Sequence, residues 1–214
     1  VPDEPADFVE VIRQSYCFGF DGHSREDQQR SKYYLDERQR QQLPQSGTHY
    51  LEQLGLRGTV CEVGASELSR VAQLVAKTNQ FNLTSKRYSR AELESIIAEA
   101  GNISLALQLK DSIGDYGMVG VALLVKTSET EYSVDTFLLS CRALARGAEE
   151  FLFNAVLERL SATSCQSLTA CYIPTQKNRQ TADLWNRFGF ESTSEQPNQT
   201  LYQNELIKLQ PLST

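Results

Sequence analysis

The sequence contains few residues that could bind a metal. It has two histidines in 214 residues, and no two of its five cysteines form a C-x-x-C pair. Structural zinc sites usually need cysteine and histidine ligands at short spacing, so we expect no metal. Because no secretory signal pattern is present, the cysteines are expected to be reduced thiols of a cytoplasmic protein.

A basic excess and a long apolar run are also missing. The chain has 27 acidic and 21 basic residues, which gives a formal net charge of −6. Nucleic acids and anionic membranes attract basic surfaces, so we expect neither as a partner. No apolar run reaches the roughly 20 residues that a membrane-spanning helix needs. The 40% hydrophobic content instead fits one globular domain with an extension.

Residues 134–160 carry the strongest functional pattern in the chain. Residues 134–141 are apolar or small, as expected of a strand covered on both faces. A short basic turn with Arg142, Arg146 and Gly147 follows, and an amphipathic helix comes next. Unpaired N–H groups at the start of a helix bind phosphate, and the arginines add positive charge. The alternative is an ordinary strand–helix turn with surface arginines.

From residue 56 onward the predicted elements follow the order β-α-α-β-β-β-α-β-α-β. This order implies an α/β domain with a mixed sheet and helices on both faces, in which antiparallel hairpins precede right-handed crossovers. Ser89 is predicted to start the second helix in a capping box with Glu92. The last strand is predicted at 200–209.

Two parts of the chain are distinguished by composition. Residues 1–55 are predicted to be a helical extension or linker, with a Gln- and Arg-rich polar helix over 24–42 that starts at Ser24. Residues 56–214 form the predicted α/β domain.

The turn R-A-L-A-R-G at 142–147 resembles the Q/R-x-x-G-x-G/A signature of the GNAT acyltransferases, which holds the pyrophosphate of coenzyme A. The order of elements and the ending N(178)…LWNRFGF(190) are similar to that family as well. The resemblance implies a GNAT-like fold and binding of coenzyme A or carrier-bound phosphopantetheine. The residues it implies for cofactor binding are Leu139, Ser140, Arg142, Ala145, Arg146, Gly147, Ala148 and Asn178.

Two positions depart from the GNAT pattern. Ala145 stands where the phosphate turn usually has a glycine, and its methyl group would crowd a close phosphate. Trp185 stands where the family often has a tyrosine acid, and an indole gives up no proton at neutral pH. Ordinary acetylation of amines by acetyl-CoA is therefore the least favoured activity.

Longer runs resemble the C-terminal half of the FkbH-type proteins of polyketide biosynthesis. The resemblance implies transfer of a glyceryl unit from 1,3-bisphosphoglycerate to an acyl carrier protein, together with an N-terminal phosphatase-like domain of the HAD superfamily. That domain opens on an Asp-x-Asp motif, which this sequence lacks, so we expect the phosphatase half to be absent here. The runs are RVAQL (70–74), KTNQFNLT (77–84), GDYGMVG (114–120), DTFLLSCR (135–142) and YIPTQKN (172–178).

Asp135 and Cys141 are the candidate catalytic residues. Strand alternation places both on one face with Phe137 and Leu139, but roughly 20 Å apart, so they cannot act as a pair. Asp135 is predicted to handle a proton or to orient the acyl group; the alternative is a charge bonded to backbone. Cys141 lies beside a basic residue and a helix start, which favours a nucleophilic thiolate. The alternative is a small buried residue that packs the turn.

The polar loop after the first helix is predicted to form the substrate wall. Asn79, Gln80 and Asn82 offer amides suited to a hydroxylated acyl group, although they could equally attach the loop to the domain. Phe137 and Trp185 are the other predicted substrate contacts.

Two functions remain open at this stage. The first is an acyltransferase module that moves a glyceryl or related hydroxyacyl unit to the phosphopantetheine thiol of a carrier protein. Exchange between thiols needs mainly positioning and hydrogen-bond donors, so a missing tyrosine acid matters little. The second is a non-catalytic module that binds the carrier protein while the phosphatase half performs the acyl chemistry.

Overall fold

The computed structural model of the chain describes residues 35, 36, 38, 40, 54–144, 146–205 and 211–212. The chain forms two compact units, Val1–Gln45 and Ser46–Thr214. Within the first unit, the described residues are helical. Most of the predicted extension, including Ser24 and both histidines, lies outside the described residues. The predicted α/β domain falls within the second unit.

The described part of the second unit has the predicted order of elements with one extra strand at the end. The predicted last strand is present over Gln199–Glu205. The extra strand, Glu191–Gln196, precedes it; it is polar and mostly exposed and carries no apolar alternation. The elements are β1 (Arg57–Glu62), α1 (Ala65–Lys77), α2 (Arg90–Ala98), β2 (Ile103–Lys110), β3 (Asp115–Lys126), β4 (Glu131–Leu139), α3 (Ala148–Ser161), β5 (Ser167–Tyr172), α4 (Leu184–Arg187), β6 (Glu191–Gln196) and β7 (Gln199–Glu205).

The seven strands form one mixed sheet in the order β1-β2-β3-β4-β5-β7-β6. Neighbouring strands are antiparallel except β4 and β5, which are parallel and joined by α3. A parallel pair needs such a crossover, whereas an antiparallel pair can be joined by a short turn. The capping box of Ser89 and Glu92 at the start of α2 is confirmed. Among the described helices, none has the length and apolar character needed to cross a membrane.

Helices cover both faces of the sheet, as predicted. On one face, Val121 of β3 belongs to a buried cluster with Val71 of α1 and Leu93 of α2. On the other face, a Cβ at the neighbouring Gly120 would lie 3.2 Å from Cδ2 of Leu152 in α3. Successive residues of a strand point to opposite faces, so these contacts place α1 and α2 opposite α3.

The close approach of α3 to the sheet predicts that Gly120→Val is strongly destabilising. An added Cβ would meet Cδ2 of Leu139 at 2.7 Å and Cβ of Leu107 at 3.2 Å, and both leucines are fully buried. We expect the free energy of unfolding in urea to fall by about 2–3 kcal/mol, the usual effect of overpacking. Thr59→Val, at an exposed position of β1, should change it by less than about 0.5 kcal/mol. An equal loss of unfolding free energy in the two variants would contradict close packing at Gly120.

Candidate active site

Strands β4 and β5 separate in the middle of the sheet, and part of the α1–α2 loop lies between them. Their pairing ends at Val134 opposite Ala170. We call residues 81–83 the inserted segment. Its central residue, Asn82, lies opposite Leu138 of β4 in antiparallel orientation. All three residues of the inserted segment are buried.

Backbone hydrogen bonds attach the inserted segment to both diverging strands. The N–H of Leu83 donates to the carbonyl of Phe137 at 3.4 Å, and the N–H of Leu139 donates to the carbonyl of Phe81 at 2.9 Å. On the other side, the N–H of Ile173 donates to the carbonyl of Leu83 at 2.8 Å. The inserted segment therefore acts as a short strand that fills the gap.

Asn178 fixes the inserted segment to the end of β5. Its buried Nδ2 donates to the carbonyls of Asn82 at 2.9 Å and Ile173 at 3.0 Å. Its Oδ1 accepts from the N–H of Thr175 at 2.7 Å and from the hydroxyl of Tyr172 at 3.3 Å. Because the amide is buried and bonded on both sides, the prediction that Asn178 binds the cofactor is wrong for its side chain.

The three loop amides differ in their surroundings. Asn82 is fully buried, its Oδ1 accepts from the N–H of Ser85 at 2.9 Å, and its Nδ2 has no hydrogen-bond partner. Burial contradicts the predicted substrate contact of Asn82 and favours the alternative of loop attachment. Asn79 and Gln80 are exposed, and Oδ1 of Asn79 accepts from Arg87 at 2.6 Å. A substrate role for these two stays a prediction.

Asp135 is the centre of a polar group that we call the carboxylate cluster (Asp135, Lys86 and Tyr88). Nζ of Lys86 lies 2.5 Å from Oδ1 of Asp135, and the hydroxyl of Tyr88 donates to Oδ2 at 2.8 Å. The hydroxyl of Thr136 also donates to Oδ2, at 2.9 Å. The Asp135 side chain is 12% exposed and the Lys86 side chain 43%. The cluster is thus a mostly buried carboxylate with an ammonium group at its solvent side.

A β-bulge produces this arrangement. On β3, Leu123 pairs with Thr136 and the next residue, Leu124, pairs with Val134, so Asp135 is the extra residue of β4. A bulge interrupts the alternation of side chains and redirects the extra one.

The bulge overturns the predicted face of Asp135. Regular alternation would place Asp135 on the face of Phe137, which packs against α3 and α4. Instead it bonds to Tyr88, which packs against the α1–α2 cluster that contains Leu138. The register shift is the physical reason for the wrong prediction.

Tyr88 is a hydrogen-bond donor at all ordinary pH values. Burial raises the pKa of its phenol far above the usual value of 10.0, and the adjacent Asp135 carboxylate raises it further. The hydroxyl therefore keeps its proton and donates a hydrogen bond to Asp135.

The basic turn after β4 is packed against the start of β3. The guanidinium of Arg146 lies 5.1 Å from the ring centre of Tyr116, and its Nε donates to the Tyr116 hydroxyl at 3.3 Å. Arg142 donates to the carbonyl of Tyr116 at 3.4 Å. The Tyr116 hydroxyl in turn donates to Asp111 at 2.7 Å. These contacts hold both arginine side chains against Tyr116 of β3.

Gly147 and Ala148 form the start of α3. Gly147 has φ 65°, in the left-handed region that favours glycine, and Ala148 is the first helical residue. Glu150 in the first turn pairs with Arg187 at 2.7 Å. The helix therefore begins directly after the basic turn, as predicted, while binding of phosphate at its N–H groups stays a prediction. Ala145 lies outside the described residues.

The predicted cofactor contacts at the end of β4 are occupied by the protein itself. The N–H of Leu139 is bonded to Phe81 within the inserted segment, and the N–H of Ser140 donates to the carbonyl of Val119 at 2.7 Å. Cys141 is not a strand residue: it is exposed and starts a 3-10 turn over Cys141–Ala143. Exposure contradicts the alternative that Cys141 is a small buried residue that packs the turn, while its role as a nucleophile stays a prediction.

Phe137 and Trp185 do not line an open site. Each is 1% exposed, and their ring centres lie 5.7 Å apart. The indole N–H of Trp185 donates to the carbonyl of Cys171 at 3.1 Å. The predicted substrate contacts of both residues are therefore wrong, because both belong to an aromatic core. The other members of that core are Phe153, Phe188 and Phe190.

Sequence analysis missed Lys86, Tyr88 and Tyr116. The first two approach Asp135 across 49 and 47 positions of sequence, a distance that no local pattern reports. Their only signal is a basic and aromatic pair directly before the Ser89 cap. In the described part of the chain, no group of three His, Cys, Asp or Glu side chains is placed to hold a metal ion.

No protein-family model matches the sequence, and no curated protein is significantly similar to it. Solved structures do match. Ard1 from Thermoplasma volcanium superposes with a TM-score of 0.56 at 16% identity, over 69% of this chain and 97% of that one. The ribosomal-protein-S18-alanine N-acetyltransferase of Escherichia coli gives 0.55 at 11% identity, over 70% and 94%.

A third match carries a bound ligand. N-acetylglutamate synthase from Neisseria gonorrhoeae, complexed with coenzyme A and N-acetyl-glutamate, gives a TM-score of 0.53 at 17% identity, over 70% of this chain and 35% of that one. A protein from Desulfovibrio desulfuricans, described as a GNAT-family acetyltransferase, gives 0.55 at 15% identity, over 71% and 99%. The mixed sheet and helices of this chain therefore have the GNAT acetyltransferase fold.

Proposed function

We propose that this chain is an acyltransferase module that moves a glyceryl or related hydroxyacyl unit to the phosphopantetheine thiol of an acyl carrier protein in polyketide biosynthesis. The observation that carries the proposal is the carboxylate cluster at the bulge of β4. The same strand leads directly into the basic turn and the start of α3. One strand thus connects a proton acceptor with an anion-binding helix terminus.

The residues of the turn fit the phosphate group of coenzyme A or of a carrier arm. Arg142 and Arg146 supply charge, and the left-handed Gly147 opens the helix start, where an added Cβ would meet nothing within 4 Å. The N–H groups of the first turn of α3 point outward. When bound, the arm would supply the thiol that carries the acyl group.

The carboxylate cluster handles the proton of the exchange. Asp135 accepts the proton of the acceptor thiol and returns it to the departing donor thiol, so no proton is gained or lost overall. Tyr88 and Lys86 hold the carboxylate in one orientation. The exposed amides of Asn79 and Gln80 can hydrogen-bond the hydroxyl groups of the acyl unit.

Loading of a carrier protein tests this function directly. The chain is incubated with a glyceryl thioester and a carrier protein bearing its phosphopantetheine arm, and intact-protein mass spectrometry follows the acceptor. A carrier without the arm is the control. We expect a glyceryl adduct on the armed carrier only. No adduct, even with a phosphatase-like partner domain supplied, would contradict the proposal.

If the basic turn binds phosphate, the affinity for coenzyme A should depend on its two arginines. Replacing Arg142 and Arg146 together by alanine should raise the Kd by about 10- to 100-fold, because charge-assisted hydrogen bonds to phosphate are lost. Calorimetric titration measures the change. Arg90→Ala is the control, since that arginine is 57% exposed and pairs with Glu94 on α2. An unchanged Kd in the double variant would contradict a phosphate site at this turn.

The alternative is a non-catalytic module that binds the carrier protein. The inserted segment favours it, because the edge of β4 along which an arm would run is already hydrogen-bonded. Substituting Asp135 separates the two functions. If the chain is only a binding module, the Asp135 variant should bind the carrier protein as tightly as the unchanged protein. Acyl transfer by the phosphatase half should then also be unaffected by the substitution.

A further inference from the structure

A cleft opens at the edge of the sheet opposite the basic turn. Its volume is about 380 Å³, within the usual range of small-molecule sites. It is bordered by the end of β1, the starts of β2 and β4, and the ends of α2 and α3. Because α3 begins at the basic turn and has 14 residues, its length separates the two places by roughly 20 Å. The described residues that line the cleft include none of the inserted segment, the carboxylate cluster or the basic turn.

Ser104 supplies a buried hydroxyl to this cleft. The residue is 9% exposed and belongs to the lining, and its Oγ is buried without a hydrogen-bond partner. Its backbone is engaged, since its carbonyl accepts from the N–H of Val63 at 2.9 Å. A buried polar atom without a partner opposes folding, so a ligand that hydrogen-bonds to Oγ would be stabilised there. The cleft therefore favours a ligand with a polar group at its inner end.

Charged groups of both signs lie at the mouth of the cleft. Glu62 at the end of β1 and Arg159 in the last turn of α3 form an ion pair, and their side chains are 67% and 46% exposed. An exposed pair of this kind contributes little to stability, so it can open for a ligand. The ends of α2 and α3 add partial negative charge, because the last carbonyls of a helix have no partner within the helix.

We propose that this cleft binds a small α-amino acid whose side chain carries a hydroxyl or amide group. The ammonium group pairs with Glu62 and the two helix ends, the carboxylate pairs with Arg159, and the polar side chain hydrogen-bonds to Oγ of Ser104. The buried side chains of Val63 and Ile103 pack against the carbon atoms of the ligand. This inference does not depend on the proposed function.

Charge pairing at the mouth distinguishes an amino acid from simpler ligands. An amine that bound Glu62 would leave the guanidinium of Arg159 without its partner. A carboxylate that bound Arg159 would leave Glu62 unpaired beside two negative helix ends. A zwitterion gives each group a new partner of opposite charge, and such charge-assisted hydrogen bonds are the stronger ones.

Four matched probes test the proposed ligand class by NMR titration of the isotope-labelled chain. L-threonine carries all three groups, isopropanolamine lacks the carboxylate, β-hydroxybutyrate lacks the ammonium group, and L-valine has a methyl group in place of the hydroxyl. We expect loss of either charge to raise the Kd at least about tenfold, and loss of the hydroxyl to raise it about three- to tenfold. The backbone amide shifts should centre on Gly101, Ser104 and Thr163, which line the cleft.

Ser104→Ala tests the contact of the ligand with the buried hydroxyl. The variant should lose the preference for L-threonine over L-valine, while L-valine binds as it does to the unchanged protein. A general change of structure would weaken the binding of both amino acids equally. If the preference for L-threonine persists in the variant, Ser104 is not the group that selects a polar side chain and the proposal is overturned.

Ala162→Trp blocks the cleft from an exposed position just after α3, so folding should be preserved. Ser164→Trp is the matched control, because Ser164 is equally exposed two residues later and lies outside the lining. We expect L-threonine binding to be lost in the first variant and kept in the second, with equal unfolding midpoints in urea. The proposal is overturned if L-threonine shows no saturable binding, if all four probes bind equally, or if the Ala162 variant binds as the control does.

Discussion

Replacing Asp135 by asparagine is expected to lower the rate of carrier loading by about two to four orders of magnitude, the usual contribution of a positioned general base. The amide keeps the shape of the carboxylate and still accepts a hydrogen bond from Tyr88, but it cannot take up a thiol proton at neutral pH. The measurement is the single-turnover rate of adduct formation by mass spectrometry. The affinity for coenzyme A should change little.

The control for this substitution is Glu129→Gln. Glu129 is a carboxylate with an 89% exposed side chain that pairs with Lys126, so its loss changes the net charge equally without touching the cluster. We expect a rate equal to that of the unchanged protein. A similar rate in the Asp135 variant would assign the cluster to structure alone and would favour the binding module.

Replacing Asn178 by alanine should destabilise the chain by about 3 kcal/mol or more, because several buried polar groups lose their partners at once. The carbonyls of Asn82 and Ile173 lose a donor, and the N–H of Thr175 and the hydroxyl of Tyr172 lose an acceptor. Urea denaturation should show a lower midpoint with an unchanged slope.

Gln180→Ala is the matched control for this prediction. Gln180 lies in the 3-10 turn Arg179–Thr181, which directly follows Asn178. It is exposed and donates a single 3.4 Å hydrogen bond to the carbonyl of Gln80. Its loss should cost less than about 0.5 kcal/mol. If the two variants have the same stability, the Asn178 amide is not what joins the loop to β5.

Most of the fold could be predicted from local sequence patterns. The order of the elements and the capping box of α2 followed from residues that are neighbours in sequence, because alternation and caps are local properties. β6 was missed because its polar residues lie on an exposed edge and show no apolar period. Helix spacing also identified the basic turn and the start of α3.

The candidate site was predicted only in part. The sequence placed Asp135 on the strand that is β4, but its face depends on an extra residue in the pairing with β3, which no single strand reveals. Lys86 and Tyr88 reach it from a distant loop. Phe137 and Trp185 were assigned to a substrate, whereas the packing of α3 and α4 encloses them.

The extra residue Asp135 is required by the proposed site but not by the pairing of β4 with β3. A β4 shorter by this one residue would pair with β3 without interruption, and it would present the same apolar residues to the core. Selection for thermal stability alone would therefore remove the residue rather than keep it. Engineering that shortens or idealises this strand should produce a more stable protein that lacks the Asp135 carboxylate, which we propose as the proton acceptor.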